Sequence, residues 1–161
     1  MVTAVRKGRM QDITDEFITA LRGLEETGAI EPLAALFSQA AEISNPLVEH
    51  RKDEEHAVEK FWHDYRRAFQ QIHSVFRTVV KADRVSFIEW TSDGATTYGP
   101  FRYGGVTVIE HDSRKITAFR CYFDPEQISS GDPDRRRLWA PENADSVQSE
   151  AAERRKEGGY Q

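Results

Sequence analysis

The stretch KITAFRCYFDPE, Lys115 to Glu126, alternates like a buried strand and holds the single cysteine of the 161-residue chain, Cys121, between Phe119 and Phe123. A thiolate is a nucleophile, but a thiol in apolar surroundings acts as a small hydrophobic group unless a base or cation depresses its pKa. Arg120 is adjacent but points to the other face of a strand, and His73 is the one base in conceivable reach. Cys121 therefore reads first as pocket or core filler, then as a ligand contact, and last as a nucleophile. Glu89, in the run FIEWT, is the sharper candidate. A mid-strand carboxylate that faces a cavity is desolvated, so its pKa rises and it can carry protons. Alternation equally allows Glu89 to face solvent while Ile88 and Trp90 face inward.

Other groupings carry less. Glu55, Glu59 and His63 share one helical face at a spacing that can present metal ligands, yet the pattern reads better as a solvated face. His50, His56 and His111 sit in charged surroundings without a constellation. The sequence has no glycine-rich phosphate loop, no H-E-x-x-H and no Ser-His-Asp signature, so any chemistry is expected to be cofactor-free acid–base work, with no metal. The net charge of −5 argues against nucleic acid as the main partner. The basic clusters Arg135 to Arg137 and Arg154 to Lys156 are diluted by nearby acids and read as solvated charge.

These residues need elements to position them. Ile13, Phe17, Leu21 and Leu24 recur on one helical face, with Asp12 or Thr14 as N-cap and Gly28 as a left-handed end. Glu31-Pro32 opens a short second helix through Leu33, Leu36 and Phe37. AEISNPL reads as a short extended piece, since Asn45 before Pro46 is pushed from helical angles. A third helix from about Glu54 to Gln71 carries a wide apolar face of Val58, Phe61, Trp62, Tyr65, Ala68, Phe69 and Ile72.

After His73 the period becomes two. Turn signals at Ala82-Asp83, Asp93-Gly94 and His111 to Arg114 divide the run into four strands of an antiparallel meander. Gly104-Gly105 inside a strand marks a bulge or a close approach. Three N-terminal helices packed on a curved antiparallel sheet make an α+β domain. Such a sheet with a helix across its mouth encloses a cone suited to a small ligand.

The domain is expected to span residues 1–127. A polar C-terminal tail over 128–161 has few apolar anchors besides Leu138-Trp139, and a short helix is possible around Ala144 to Lys156. No run is long and apolar enough to cross a bilayer, and the N-terminal MVTAVRKGRM lacks a signal peptide's apolar centre. With one cysteine, the expected compartment is the reducing cytoplasm.

Four segments, GAIEPLAALFSQAAEISNP from Gly28, EHAVEKFWHDY from Glu55, DRVSFIEWTSDG from Asp83 and GGVTVIEHDSRKITAFRCYFD from Gly104, follow one another in an order and spacing that resembles the NTF2-like superfamily, in its SnoaL-like and ketosteroid-isomerase-like branch. The resemblance implies a cone-shaped α+β barrel with a deep pocket, and a homodimer packed through the sheet. It does not choose among isomerase, cyclase, hydrolase or binding functions. On the steroid-isomerase pattern, the catalytic base falls on Asn45, the tyrosine on Leu21 and the second acid near Val106, none of which can do that work. On the limonene-epoxide-hydrolase pattern, one carboxylate falls on Cys121 and the arginine on Phe87, leaving Glu89 as a replacement for the other acid.

The expected pocket residues are Phe17, Leu21, Asn45, Phe61, Tyr65, Val106, Phe119 and Cys121, with Glu89 as the proton carrier and Asn45 as a hydrogen-bond anchor. The function this implies is binding of a small apolar or aromatic molecule, with acid–base chemistry of the isomerase, cyclase or hydratase type if the protein is an enzyme. The alternative is a non-catalytic binding or association module.

Overall fold

A computed structural model describes residues 12–50, 54–112 and 114–128. Helix α1 (Ile13–Thr27) and the single turn α2 (Glu31–Ala34) lead into strand β1 (Phe37–Ser44) and the two-residue β2 (Glu49–His50). Helix α3 (Ala57–Ala68) follows, then β3 (Gln71–Lys81), β4 (Val85–Thr96), β5 (Gly99–His111) and β6 (Ile116–Phe123), with a short 3-10 turn at Pro125–Gln127.

The sheet has six strands in the order β2-β1-β6-β5-β4-β3. Strands β3 to β6 form the expected antiparallel meander, but β1 lies parallel to β6, so the sheet is mixed rather than wholly antiparallel. The difference starts at Phe37, expected in the second helix. A short apolar run does not separate helix from strand by period alone, and Phe37 opens β1, paired with Ile116. The third helix is shorter than its apolar stripe, because Phe69 is already extended (φ −120°, ψ 134°) and leads into β3.

Local chemistry sets the ends of α1. The Asp12 carboxylate accepts the backbone N–H groups of Thr14 and Asp15, both at 3.0 Å, and Gly28 closes the helix at φ 79° with its N–H on the Leu24 carbonyl. The apolar stripe Ile13, Phe17, Leu21 and Leu24 is buried against the sheet, and the Thr14 hydroxyl meets that of Ser86 at 2.7 Å.

One aromatic cluster fills the space between helices and sheet. Phe119 of β6 packs against the rings of Phe17, Phe37, Phe61 and Trp62, with centroids 5.3–6.1 Å apart. Gly105 serves a close approach rather than a bulge: a Cβ there would stand 2.2 Å from the Tyr122 carbonyl and 2.8 Å from the Trp90 ring. The Trp90 ring can therefore approach β5 this closely only while position 105 is glycine.

Among the described residues no helix is long and apolar enough to cross a membrane. Leu138-Trp139 and the expected helix around 144–156 lie outside the described residues, as do residues 1–11 of the N-terminal stretch. Of the expected tail, only Ile128 is described, and it is buried with the core.

Candidate functional site

Alternation decides which β-strand side chains meet the helices. On β4 the inward set is Ser86, Ile88, Trp90 and Ser92, all buried; on β3 it includes Ile72 and Ser74; on β5, Tyr103, Thr107 and Ile109. These side chains and those of α1 and α3 enclose a cavity whose walls are mostly aromatic and aliphatic, with Asn45, Ser74, Ser92, Thr107 and Cys121 as the polar or sulfur-bearing members. Centres of water-sized molecules can occupy ≈ 40 Å³ of it. At ~10–15 Å³ per water this is room for about three waters.

Of the residues expected to line the pocket, Phe17, Leu21, Asn45, Phe61, Tyr65 and Cys121 do so. Phe119 is buried in the aromatic cluster behind the wall rather than on the cavity surface. Glu89 and Val106 are corrections. They are partners in the β4–β5 ladder and both project from the opposite, outer face of the sheet, where Glu89 accepts the Thr78 hydroxyl at 2.6 Å and Val106 is 36% exposed. The physical reason is the large ring of Trp90. Its indole packs on Tyr103 and Phe123 and donates to the Thr107 hydroxyl at 3.0 Å, which fixes the even-numbered residues of β4 inward and sends Glu89 out.

The single thiol finds an apolar role. Cys121 Sγ accepts a long contact of 3.7 Å from the Thr107 hydroxyl, and burial pushes its pKa up to about 12. A thiol held protonated in this way contributes a wall, not a nucleophile.

The polar constellation of the cavity is one that the sequence did not signal. Glu25 lies one helical turn beyond Leu21 on the cavity side of α1. Its carboxylate accepts three hydrogen bonds: Tyr65 Oη at 2.8 Å, Ser74 Oγ at 2.5 Å and the Ser74 backbone N–H at 2.9 Å. Ser74 Oγ also meets Ser92 Oγ at 2.7 Å. Tyr65, Ser74 and Ser92 all line the cavity, so Glu25 backs one corner of it from behind. Burial raises the Glu25 carboxyl pKa, against the opposing pull of the Ser74 and Tyr65 hydrogen bonds and of His73. Burial, with Tyr103 and Glu25 nearby, holds the Tyr65 phenol well above its ordinary value. The corner therefore combines a carboxyl with an elevated proton affinity and a phenol that stays neutral. The available signal was position: Glu25 follows Phe17 and Leu21 at intervals of four on the apolar stripe.

Two donors elsewhere in the cavity wall lack acceptors. The Asn45 side-chain oxygen accepts the backbone N–H groups of Leu47 and Val48 at 2.8 and 2.9 Å, which fixes the amide so that Nδ2 is the remaining group. That Nδ2 and the Trp62 Nε1 are buried and find no acceptor among the described residues. A buried donor left unpaired costs free energy that a ligand acceptor restores. No group of three His, Cys, Asp or Glu side chains among the described residues is placed to hold a metal ion. Glu55 precedes α3, and Glu59 and His63 are exposed on it.

A curved mixed sheet with helices across its mouth and an apolar cavity between them defines an NTF2-like cone. Residues 15–119 match the SnoaL-like domain model, and the chain belongs to that family. Among solved structures it is similar to an NTF2-like protein from Anabaena variabilis (TM-score 0.61, 15% identity, 70% of this chain and 87% of that one). It is also similar to a protein of ketosteroid-isomerase-like fold from Catenulispora acidiphila, solved in complex with trimethylamine (TM-score 0.59, 16% identity, 72% and 91%). An LEH-like epoxide hydrolase from M. tuberculosis aligns with TM-score 0.56 and 15% identity over 71% and 85%. At such identities the likeness carries the fold and not the activity. No curated protein matches the chain.

Proposed function

We propose that this SnoaL-like domain binds a small, largely apolar or aromatic molecule in its cone. The observation that carries the reading is the pairing of an aromatic cavity with two buried donors in its lining residues, Asn45 Nδ2 and Trp62 Nε1, that have no acceptor among the described residues. A core with no ligand to hold would gain by replacing them with apolar groups. The reaction type that such a site supports is acid–base chemistry run by side chains alone. Tyr65 and Ser74 reach the cavity and share Glu25, which can take up a proton behind them. A reducing cytoplasm suits the free Cys121 thiol.

The test is native mass spectrometry of freshly purified protein, before and after denaturation, together with the Asn45→Ala variant. A small adduct that is released on denaturation and is weakened or lost in N45A is the expected result. A protein that carries no adduct and gains none from a library of single-ring aromatic compounds would refute the reading.

A second reading, an association module, is favoured by a different observation. The outer face of the sheet exposes Val75, Val80, Phe87, Val106 and Tyr122, at 36–56% of their surface. Val80 pairs with Phe87, Phe87 with Val108, and Val106, two residues before it on β5, with Tyr122, so apolar side chains run across four strands. A second copy of the chain packed on this face would form a homodimer through the sheet. This reading and the cavity are compatible, because they use opposite faces.

A further inference from the structure

The hydrogen-bond chain behind the cavity has a direction, and that direction sets what the cavity can recognise. Each serine hydroxyl has one proton to give. Ser74 gives its proton to the Glu25 carboxylate at 2.5 Å, so in the 2.7 Å contact between the two hydroxyls Ser92 must be the donor. With its proton committed, Ser92 Oγ has only lone pairs left. It is 1% exposed and lines the cavity, and Ser74 beside it is 4% exposed. The wall at Asn45 has the reverse character. Asn45 follows β1, separated from β4 in the strand order by β6 and β5, and its Nδ2, like the Trp62 Nε1, can only donate.

We propose that the cavity selects a small molecule carrying both a hydrogen-bond acceptor, for Asn45, and a hydroxyl or N–H donor, for Ser92, and that Glu25 sets this polarity. The inference rests on the reading of the cavity as a ligand site and deepens it. Glu25 acts here as a positioning residue, through Ser74, rather than by touching the ligand. Burial raises the carboxyl pKa, while the Ser74 N–H and hydroxyl from β3, the Tyr65 hydroxyl from α3 and the nearby His73 pull the other way, toward the charged form that the chain requires.

Glu25→Gln is the informative change, because an amide can replace every contact while reversing the chain. Its oxygen can accept the Ser74 N–H, and its NH₂ group, in place of the oxygen that Ser74 Oγ and Tyr65 Oη share, can donate one proton to each of them. The Ser74 proton then goes to Ser92, and the Ser92 proton is released toward the cavity. The acceptor corner becomes a donor corner.

The experiment measures dissociation constants by ligand-observed NMR for two probes of one shape. The first is para-hydroxybenzonitrile, with a donor and an acceptor end; the second is para-dicyanobenzene, with two acceptor ends. Wild type should prefer the hydroxyl probe by about fivefold, the scale of one hydrogen bond made against one polar mismatch. E25Q should reverse the order. Ser92→Ala, which removes the corner group without touching Glu25, should erase the preference and serves as the deciding variant if E25Q does not fold. Equal affinities in wild type, or a preference unchanged in either variant, would overturn the polarity while leaving the ligand site standing. Failure of wild type to bind either probe would overturn the site and the polarity together.

Discussion

The carboxylate of Glu25 and the backbone N–H of Ser74 meet at 2.9 Å across 49 residues of sequence. Among the described residues β3 is an edge strand of the sheet, and a residue of α1 satisfies a backbone donor on its unpaired side. The same carboxylate takes the Ser74 and Tyr65 hydroxyls, so one side chain fastens α1, α3 and β3 at the cavity. Glu25→Ala removes the acceptor and leaves three donors behind, each a cost where it stays buried. The expected loss is about 1–3 kcal/mol of unfolding free energy, read as a lower urea midpoint at unchanged slope. A midpoint equal to wild type would show that water takes over these bonds at no cost.

The pH dependence follows from the same group. Burial raises the folded-state pKa of Glu25 above its ordinary 4.5, so the folded protein binds this proton more tightly than the unfolded chain does. The stability this contributes is complete below the unfolded value and is lost as pH rises through the folded one. Glu25→Gln cannot titrate there. The wild-type stability minus that of E25Q should therefore fall as pH climbs from about 4 toward neutrality and then level off. Groups with lowered values, such as Glu54 beside His50, contribute in the opposite direction, but equally in both proteins, and cancel in the difference. A difference that is flat or rises over this range would contradict the assignment.

Cys121 should be inert in the folded protein. Alkylation needs thiolate, and a pKa pushed to about 12 leaves very little at pH 8. Against an ordinary thiol of pKa ~8.5, the difference in ionisation alone slows iodoacetamide on the order of 10³-fold. Mass spectrometry should show one alkylation in urea and none in buffer over the same time. Native labelling at the urea rate would mean that the sulfur is open to solvent and its neighbourhood misjudged.

The helices and some of the strand boundaries were legible because they rest on local signals. The spacing of Ile13, Phe17, Leu21 and Leu24, the Asp12 cap, the Gly28 end and the turn at Asp83 act within a few residues of themselves. The turn expected at Asp93-Gly94 is not there: Gly94 lies inside β4, where a Cβ would stand 2.0 Å from the Gln71 carbonyl, and the chain reverses after Thr96. What alternation does not give is which side of a strand is inside. Glu89 and Trp90 are equally placed by period, and the decision comes from Tyr103, Thr107 and Phe123 on neighbouring strands, which together seat the indole. The mixed sheet escaped for a similar reason, since β1 pairs with β6 over 70 residues away. Glu25 escaped because a glutamate near a helix end reads as solvated charge. Only the fold brings Tyr65 and Ser74, 40 and 49 residues distant, to its carboxylate.

The outer face of the sheet gives the last prediction. Phe87 is 45% exposed, Tyr122 56% and Val80 55%, while Glu89 stands among them and accepts the Thr78 hydroxyl. Exposed apolar side chains in cross-strand register are an association surface when they are contiguous. Phe87→Lys places a cation in that patch without entering the cavity, whose walls come from the other face. Sedimentation should show the wild type as a dimer and F87K as a monomer, with the affinity for cavity probes unchanged. Glu89→Gln should leave both the probe affinity and the stability within about 0.5 kcal/mol of wild type, as an exposed substitution does. A monomeric wild type would remove the association reading. A loss of probe binding in E89Q would return the proton-carrying role to the outer face, against every contact this side chain makes.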